Sequence, residues 1–424
     1  MVTVDLMVWL LLLLALRERS SATTTSNVTT RSSTATNQSG TVAKNRPISS
    51  YQLRYYLADT QAYDHINDRL LRATGFINSR ENCGGASGEV RVSTWAGLSD
   101  TCWYAADWRI LLHTLTKGGY SLSSNNSILN DLYIHICDGD CNSLPLAGSL
   151  VVAKSRRIIK DPQLRTCTLV PLNVERHFKQ ISEALGDSIP FEQKKPIAIW
   201  RGTTTGLGWS RLVNKTSNNI TAAVGGYGFD VDVKTLEEWS EYDNDRRTQG
   251  TARWNLVARW TKSSSLMVDV GLNMFAQMDD VEQKWYEPYL KDTMNISSFF
   301  EYRYIISVEG NDVSTNLKWA MASGSVVLMP KPRVETFFGE GLLRPYVHYL
   351  PIADDAHDLE SKIKFCERRK NKCRAIAEAG RLYAQQFSSI PTLYEWGAEV
   401  LSRHVQMIMQ HLAENRTKEN LGIV

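Results

Sequence analysis

Between Tyr302 and Pro351 the chain alternates apolar strands with polar turns so closely that few architectures can accept it. The β-branched run Ile305-Ile306-Ser307-Val308 stops at Glu309-Gly310-Asn311-Asp312, which predicts a strand ending in a turn. Leu317, Ala320 and Met321 then recur at helical spacing until Gly324, with Asp312 or Ser314 as the expected cap. A second apolar strand, Val326-Val327-Leu328-Met329, follows at once, and Val347-His348-Tyr349-Leu350 reads as a third. This succession is that of a parallel α/β sheet, whose ligands sit beyond the carboxyl ends of the strands.

Polar residues are concentrated at those ends. A helix opening near Val313-Ser314-Thr315 offers unpaired N–H groups to an anion, with Lys318 one turn further in and Lys331 and Arg333 after the next strand. A phosphate-bearing ligand is the expected guest. Glu335 reads either as a hydroxyl acceptor for a sugar or ribose or as a rim partner of Arg333, and His348 as a core histidine within its strand.

Length and composition set the outer limits. With 424 residues, 43% apolar and 22% charged, the chain can bury two α/β domains plus appendages. A net charge of +3 gives no excess that would make nucleic acid the main partner. The apolar run Leu6–Leu16 is too short to span a bilayer alone; it reads as the core of a signal peptide or a short signal anchor over 1–19, and so as a route to membrane association. Residues 20–50, rich in Ser, Thr and Asn, read as a disordered stem. N-glycosylation acceptor patterns at Asn27, Asn37, Asn125, Asn214, Asn219, Asn295 and Asn415 point to a secretory lumen. There the seven cysteines could form up to three disulfides, of undetermined pairing.

Two further stretches carry chemistry. An apolar strand, Leu132 to Cys137, runs into Asp138-Gly139-Asp140. These carboxylates read as turn formers, as a D-x-D site for a divalent ion bridging a diphosphate, or as a general base for an acceptor hydroxyl. Lys154 closes the strand Leu150–Ser155 and faces either an acceptor or solvent. Later, the strand Pro196–Trp200 runs into Arg201-Gly202-Thr203. A guanidinium fork beside a bare backbone and hydroxyls suits a diphosphate.

Gly310 to Pro332 (GNDVSTNLKWAMASGSVVLMPKP) and Glu340 to Ile352 (EGLLRPYVHYLPI) resemble the CAP10-like glycosyltransferases of family 90, nearest the branch that modifies bacterial lipopolysaccharide. The family also includes the Rumi-type protein O-glucosyltransferases and fungal capsule xylosyltransferases, and the resemblance extends over about Tyr133 to Phe387. It implies a GT-B-like α/β architecture: two Rossmann-like domains, 51–190 on the acceptor side and 191–390 binding the nucleotide-sugar, facing across a cleft. A C-terminal segment, 391–424, would cross back to the first domain.

It further implies inverting transfer of a sugar, glucose or xylose, from a UDP-sugar to a hydroxyl of a glycan or protein acceptor in the endoplasmic reticulum or Golgi lumen. No cofactor or divalent metal is expected. Asp138 takes the place of the family's catalytic base, with Asp140 as the alternative because it stands where the family has Pro. Arg201, Gly202, Thr203 and Arg211 match its Arg-Gly-Ser motif and a second arginine. Gly310, Ser314, Asn316, Lys318 and Glu335 complete the donor set, although Rumi-type members carry an arginine where this chain has Asn316. A metal-dependent D-x-D transferase and a non-catalytic sugar-binding protein are the competing readings.

Overall fold

The computed structural model describes residues 47–57, 87–91, 107, 110–111, 113–114, 133–140, 151–158, 167–205, 223–224, 227–228, 252–276, 283–284, 286–310 and 312–420. The side chains of 87–91, 133–140 and a few other positions lie outside that description, as do the apolar run Leu6–Leu16, the Ser/Thr-rich segment before Pro47, and Arg211. Arg46–Val424 forms one compact unit. None of the described helices is long and apolar enough to cross a membrane.

In chain order the elements are α1 (Ser50–Tyr56), β1 (Ser87–Arg91), β2 (Tyr133–Asp140), β3 (Val151–Arg157), β4 (Thr168–Leu169), α2 (Val174–His177), α3 (Lys179–Ala184) and β5 (Lys195–Thr203). A small hairpin, β6 (Ala223–Val224) and β7 (Tyr227–Gly228), precedes α4 (Ala252–Trp260), β8 (Val268–Met274), α5 (Ile296–Phe299), β9 (Tyr302–Ile306), α6 (Leu317–Ala322) and β10 (Val326–Met329). The remainder is β11 (Val334–Thr336), β12 (Leu350–Pro351), α7 (Leu359–Arg368), α8 (Lys370–Gln385) and α9 (Ile390–Asn420).

The larger organising element is a five-stranded sheet in the order β12-β10-β9-β5-β8, parallel throughout. Numbered along the chain its strands run 2-1-3-4-5, a doubly wound order that reverses between β5 and β9. Both faces are buried, as a parallel sheet requires. Ile199, Ile305, Val327 and Met329 enter one core with α6, α8 and α9, while Ala198, Trp200, Tyr304, Ile306 and Leu328 enter a second core with α4 and α7. Alternation along each strand sends successive side chains into different cores.

The other sheet is mixed. Antiparallel β1 and parallel β3 flank β2, and the far edge of β3 is shared by β4 and β11. Thus β11, from the C-terminal half, is a strand of the N-terminal sheet. Val152, Ala153 and Leu169 of that sheet belong to the same core as Ile305 and Val327.

The predicted third strand and the predicted α6 cap differ from the structure. The third strand of the organising stretch is only Leu350–Pro351, because Val347 and His348 lie in a turn where Tyr346 has a φ of 60° and Arg344 N–H donates to His348 Nδ1 at 3.0 Å. His348 is therefore a turn brace instead of a strand residue in the core. The helical stretch after Asn173 breaks at Phe178 into α2 and α3. Neither expected cap opens α6: Asn316 precedes it, Asp312 is paired with Lys154, and the Ser314 hydroxyl donates to Asn316 Oδ1 at 2.6 Å.

The C-terminal helix α9 packs on the N-terminal half. Tyr394 donates to Asp107 Oδ1 at 2.5 Å, Thr168 Oγ1 lies 3.0 Å from His404 Nδ1, and Gly397 sits against Pro171 and Leu111. A disulfide joins Cys366 to Cys373 across the corner between α7 and α8.

His404 is fully buried, and that burial pushes its imidazole down to about 3. In the unfolded chain the ring titrates near pH 6.5, so below that pH the unfolded state binds a proton that the folded state refuses. Stability is then lost as pH falls from about 6.5 toward 3. From pH 7 to 5 this residue alone costs about 2 kcal/mol. Urea unfolding midpoints at the two pH values should show the loss, and His404→Leu should reduce it, leaving the share of His177, whose imidazole burial also holds low.

Candidate donor cleft and ionic core

The reversal in strand order leaves a crevice at the carboxyl ends of β5 and β9, where the helices that follow them depart to opposite faces of the sheet. On one side are Thr203, Thr204 and Thr205; on the other is the turn containing Ser307, Glu309, Gly310, Asp312, Val313 and Ser314. A cleft of about 560 Å³, counting the space open to solvent, continues from Ala252, Ser307 and Gly310 past Ser314 to Lys331, Pro332 and Arg333 beyond β10.

Arg253 spans the crevice. From the first turn of α4 its Nη1 donates to the Thr203 carbonyl at 3.0 Å, to Thr203 Oγ1 at 3.2 Å and to Thr205 Oγ1 at 2.5 Å. A Cβ on Gly310 would lie 2.8 Å from Arg253 Nη2 and 2.9 Å from Thr205 Oγ1. Glycine is what lets the β9 turn close on the guanidinium. Arg253 is 91% buried, since 9% of it is exposed, and its Nε has no hydrogen-bond partner among the described residues. Burial lowers its guanidinium to about 10, which leaves it cationic at neutral pH. Ser307 Oγ, in the wall of the cleft, is likewise buried without a partner among the described residues. Orphaned donors of this kind are costly unless a ligand or water completes them.

Sequence reading overlooked Arg253. The available signal was its place on the apolar face of α4, in register with Leu256, Val257 and Trp260. A charge on such a face needs a buried purpose.

The residues singled out from sequence divide into groups. Gly310 and Ser314 line the cleft, and Thr203 lies beside it. Asn316 braces the turn, its Nδ2 donating to the Ile306 carbonyl at 3.0 Å. Arg201 does not present an open fork: Nη2 holds Asp269 Oδ2 at 2.9 Å, and Nη1 meets the Trp200 and Asp269 carbonyls. Burial alone would raise the Asp269 carboxyl, but hydrogen bonds from Arg201 and Lys291 outweigh it and hold it low. Gly202 is bare because the Trp200 indole occupies the space of a Cβ.

Lys318 and Glu335 are placed differently from the expected donor contacts. Lys318 is on the inward face of α6, fully buried, with Nζ 2.9 Å from Glu340 Oε1 and near the rings of Phe178 and Phe338. Glu335 is 1% exposed and accepts from Arg156 Nε at 2.8 Å and from the Tyr55 hydroxyl. Arg333 pairs with Asp354 at 2.6 Å instead of with Glu335. Arg156 also donates to the Tyr55, Tyr56 and Cys167 carbonyls. These are ionic core contacts behind the cleft.

Asp138 and Asp140 lie on β2, with side chains outside the described residues. Their backbone runs beside β3: Cys137 pairs with Ala153 and Asp140 with Ser155, with an irregularity between. Lys154 therefore stands opposite the bulge that holds Asp138, and its ammonium meets Asp312 of the β9 turn at 2.7 Å. No group of three or more His, Cys, Asp or Glu suited to a metal occurs among the described residues.

The model of glycosyl transferase family 90 matches residues 241–420. The O-glucosyltransferase LpsA of Dichelobacter nodosus is 47% identical over 102 residues, 24% of this chain and 32% of that protein. Protein O-glucosyltransferase 3 of Rattus norvegicus is 28% identical over 147 residues, 34% of this chain and 28% of the relative. An uncharacterized protein, 179R, of Invertebrate iridescent virus 6 is 26% identical over 215 residues, 49% of this chain and 16% of that protein. The chain thus spans about a third or less of the length of each of these relatives.

Removing one partner of a buried ion pair strands the other charge, at a cost of about 3–5 kcal/mol. Arg156→Met should destabilise the protein by that amount in urea titrations, because Glu335 would keep only the Tyr55 hydroxyl. The Arg156→Met/Glu335→Leu double variant should recover only the part due to the stranded charge, because the carbonyls held by Arg156 and the Tyr55 hydroxyl stay unpaired.

Proposed function

We propose, from the family 90 sequence of residues 241–420, that the protein is an inverting glycosyltransferase. It moves a sugar, glucose in the first instance, from a UDP-sugar to a hydroxyl of a glycan or protein acceptor in the secretory pathway. The observation that carries this reading is the crevice at the strand-order reversal, where a buried arginine with an orphaned Nε faces a bare glycine turn. A diphosphate would satisfy Arg253 and accept from the Ser307 hydroxyl, and Lys331 stands exposed on the rim. The names of LpsA and protein O-glucosyltransferase 3 favour a glucosyl donor. The Cys366–Cys373 bridge favours an oxidising compartment.

In this reading the acceptor oxygen attacks the anomeric carbon as the bond from that carbon to the UDP β-phosphate oxygen breaks. The electron pair leaves with UDP, and the acceptor proton passes to the carboxylate of Asp138, or of Asp140. Arg253 and the β9 turn stabilise the charge that develops on the leaving diphosphate.

UDP should raise the melting temperature, and Arg253→Met should weaken UDP binding about 10- to 100-fold, the equivalent of a lost charge-assisted hydrogen bond. Asp138→Asn should lower UDP-glucose turnover about 10²- to 10⁴-fold with UDP affinity kept. Turnover should survive EDTA. Its loss with chelator would favour the D-x-D metal reading, an effect of Asp140→Asn alone would move the base to Asp140, and no response to UDP would favour a protein without transferase activity.

A further inference from the structure

We propose that the Lys154–Asp312 ion pair is a positioning device that couples the donor crevice to the strand bearing the carboxylates. The inference rests on the donor reading above. The ion pair measures 2.7 Å, and the Lys154 side chain is 91% buried, with 9% exposed. Its partner Asp312 is 29% exposed.

The β9 turn is tied in three directions. Asn316 holds it to the end of β9, through the Ile306 carbonyl. Glu309 Oε1 accepts the Arg333 and Val334 N–H groups at 2.8 and 3.1 Å, which fixes it to the segment after β10. Asp312 ties it to β3, and so to the N-terminal sheet. Asp312 also folds back on the turn itself, its carbonyl accepting from Gly310 N–H at 3.1 Å. A shift of Asp312 therefore moves Gly310, whose backbone packs on Arg253 and Thr205.

At the other end of the pair, Lys154 lies between Ala153 and Ser155, the register partners of Cys137 and Asp140. Neighbouring strands run about 5 Å apart, so Lys154 is the β3 residue nearest the bulge at Asp138-Gly139. A single ion pair thus links the turn that would hold a leaving diphosphate to the strand whose carboxylate would take the acceptor proton. Transfer depends on holding those two parts in fixed relation.

The sign of one substitution separates this role from plain electrostatics. Asp312 is an anion beside a crevice proposed for an anion, so Coulomb repulsion alone predicts that Asp312→Asn tightens UDP binding. If Asp312 positions the turn, the same change weakens it. Calorimetric titration with UDP should give a Kd raised about tenfold by Asp312→Asn and by Lys154→Met. The double variant should be no weaker than either single one, and Lys154→Arg should stay near the unaltered protein.

Unchanged or tighter UDP binding by Asp312→Asn, in a variant whose circular dichroism matches the unaltered protein, would overturn the inference, as would additive losses in the double variant. Should Lys154→Met fail to fold, the more exposed Asp312→Asn still decides. If the unaltered protein does not bind UDP, the donor reading itself falls, and the inference falls with it.

Discussion

Two acids five residues apart, Glu335 and Glu340, hold the halves of this protein together. Glu335 neutralises Arg156 of β3, and Glu340 neutralises Lys318 of α6; all four side chains are 2% exposed or less. Charges taken this far out of water are tolerable only when paired and hydrogen-bonded throughout. Arg156 reaches that condition through four backbone carbonyls, those of Tyr55, Tyr56, Leu57 and Cys167, and Glu340 through the Thr336 amide and hydroxyl. The geometry leaves little freedom. The segment from Val334 to Leu342 must have one end paired to β3 and the other held against α6.

That constraint shapes the crevice. With β11 fixed to β3, the segment after β10 is drawn across the carboxyl edge of the parallel sheet, where Glu309 caps its amides and Arg333 reaches Asp354. The β9 turn then packs on Arg253 and Thr205 at Gly310 and shares its cleft with Lys331 to Val334. Two inner donors of the crevice, Arg253 Nε and Ser307 Oγ, have no hydrogen-bond partner among the described residues, and neither does Arg201 Nε on β5. Such a concentration of orphaned donors at the reversal point of a doubly wound sheet is where a ligand's oxygens would be most strongly held.

The parallel sheet was largely legible. Runs such as Ile305-Ile306 and Val326 to Met329 are apolar on both faces, which marks buried parallel strands without further information. The insertion of β11 was not, because three residues pairing with a strand some 180 positions earlier leave no periodic trace. The same distance hid the fate of Lys318. Read locally it is a cation near a helix start, and only Glu340 and the rings of Phe178 and Phe338 show that it points inward. Arg201 was read as an open fork because its neutralising partner, Asp269, lies inside a strand 68 positions later. Gly310 and Ser314 could be assigned to the turn after β9 because turn chemistry after a strand is local.

The path of β11 also sets how the molecule can be divided. A break between the sheets, such as one near Ser188 to Lys195, would leave the later fragment with a strand that has no neighbour and an acid with no cation. The earlier fragment would keep Arg156 and an open edge on β3, and would lose the cover that α9 gives to Leu111 and Pro171. Exchange of parts with relatives therefore works by spatial units, in which β3, β11 and α9 travel together, and not by cutting at the middle of the sequence.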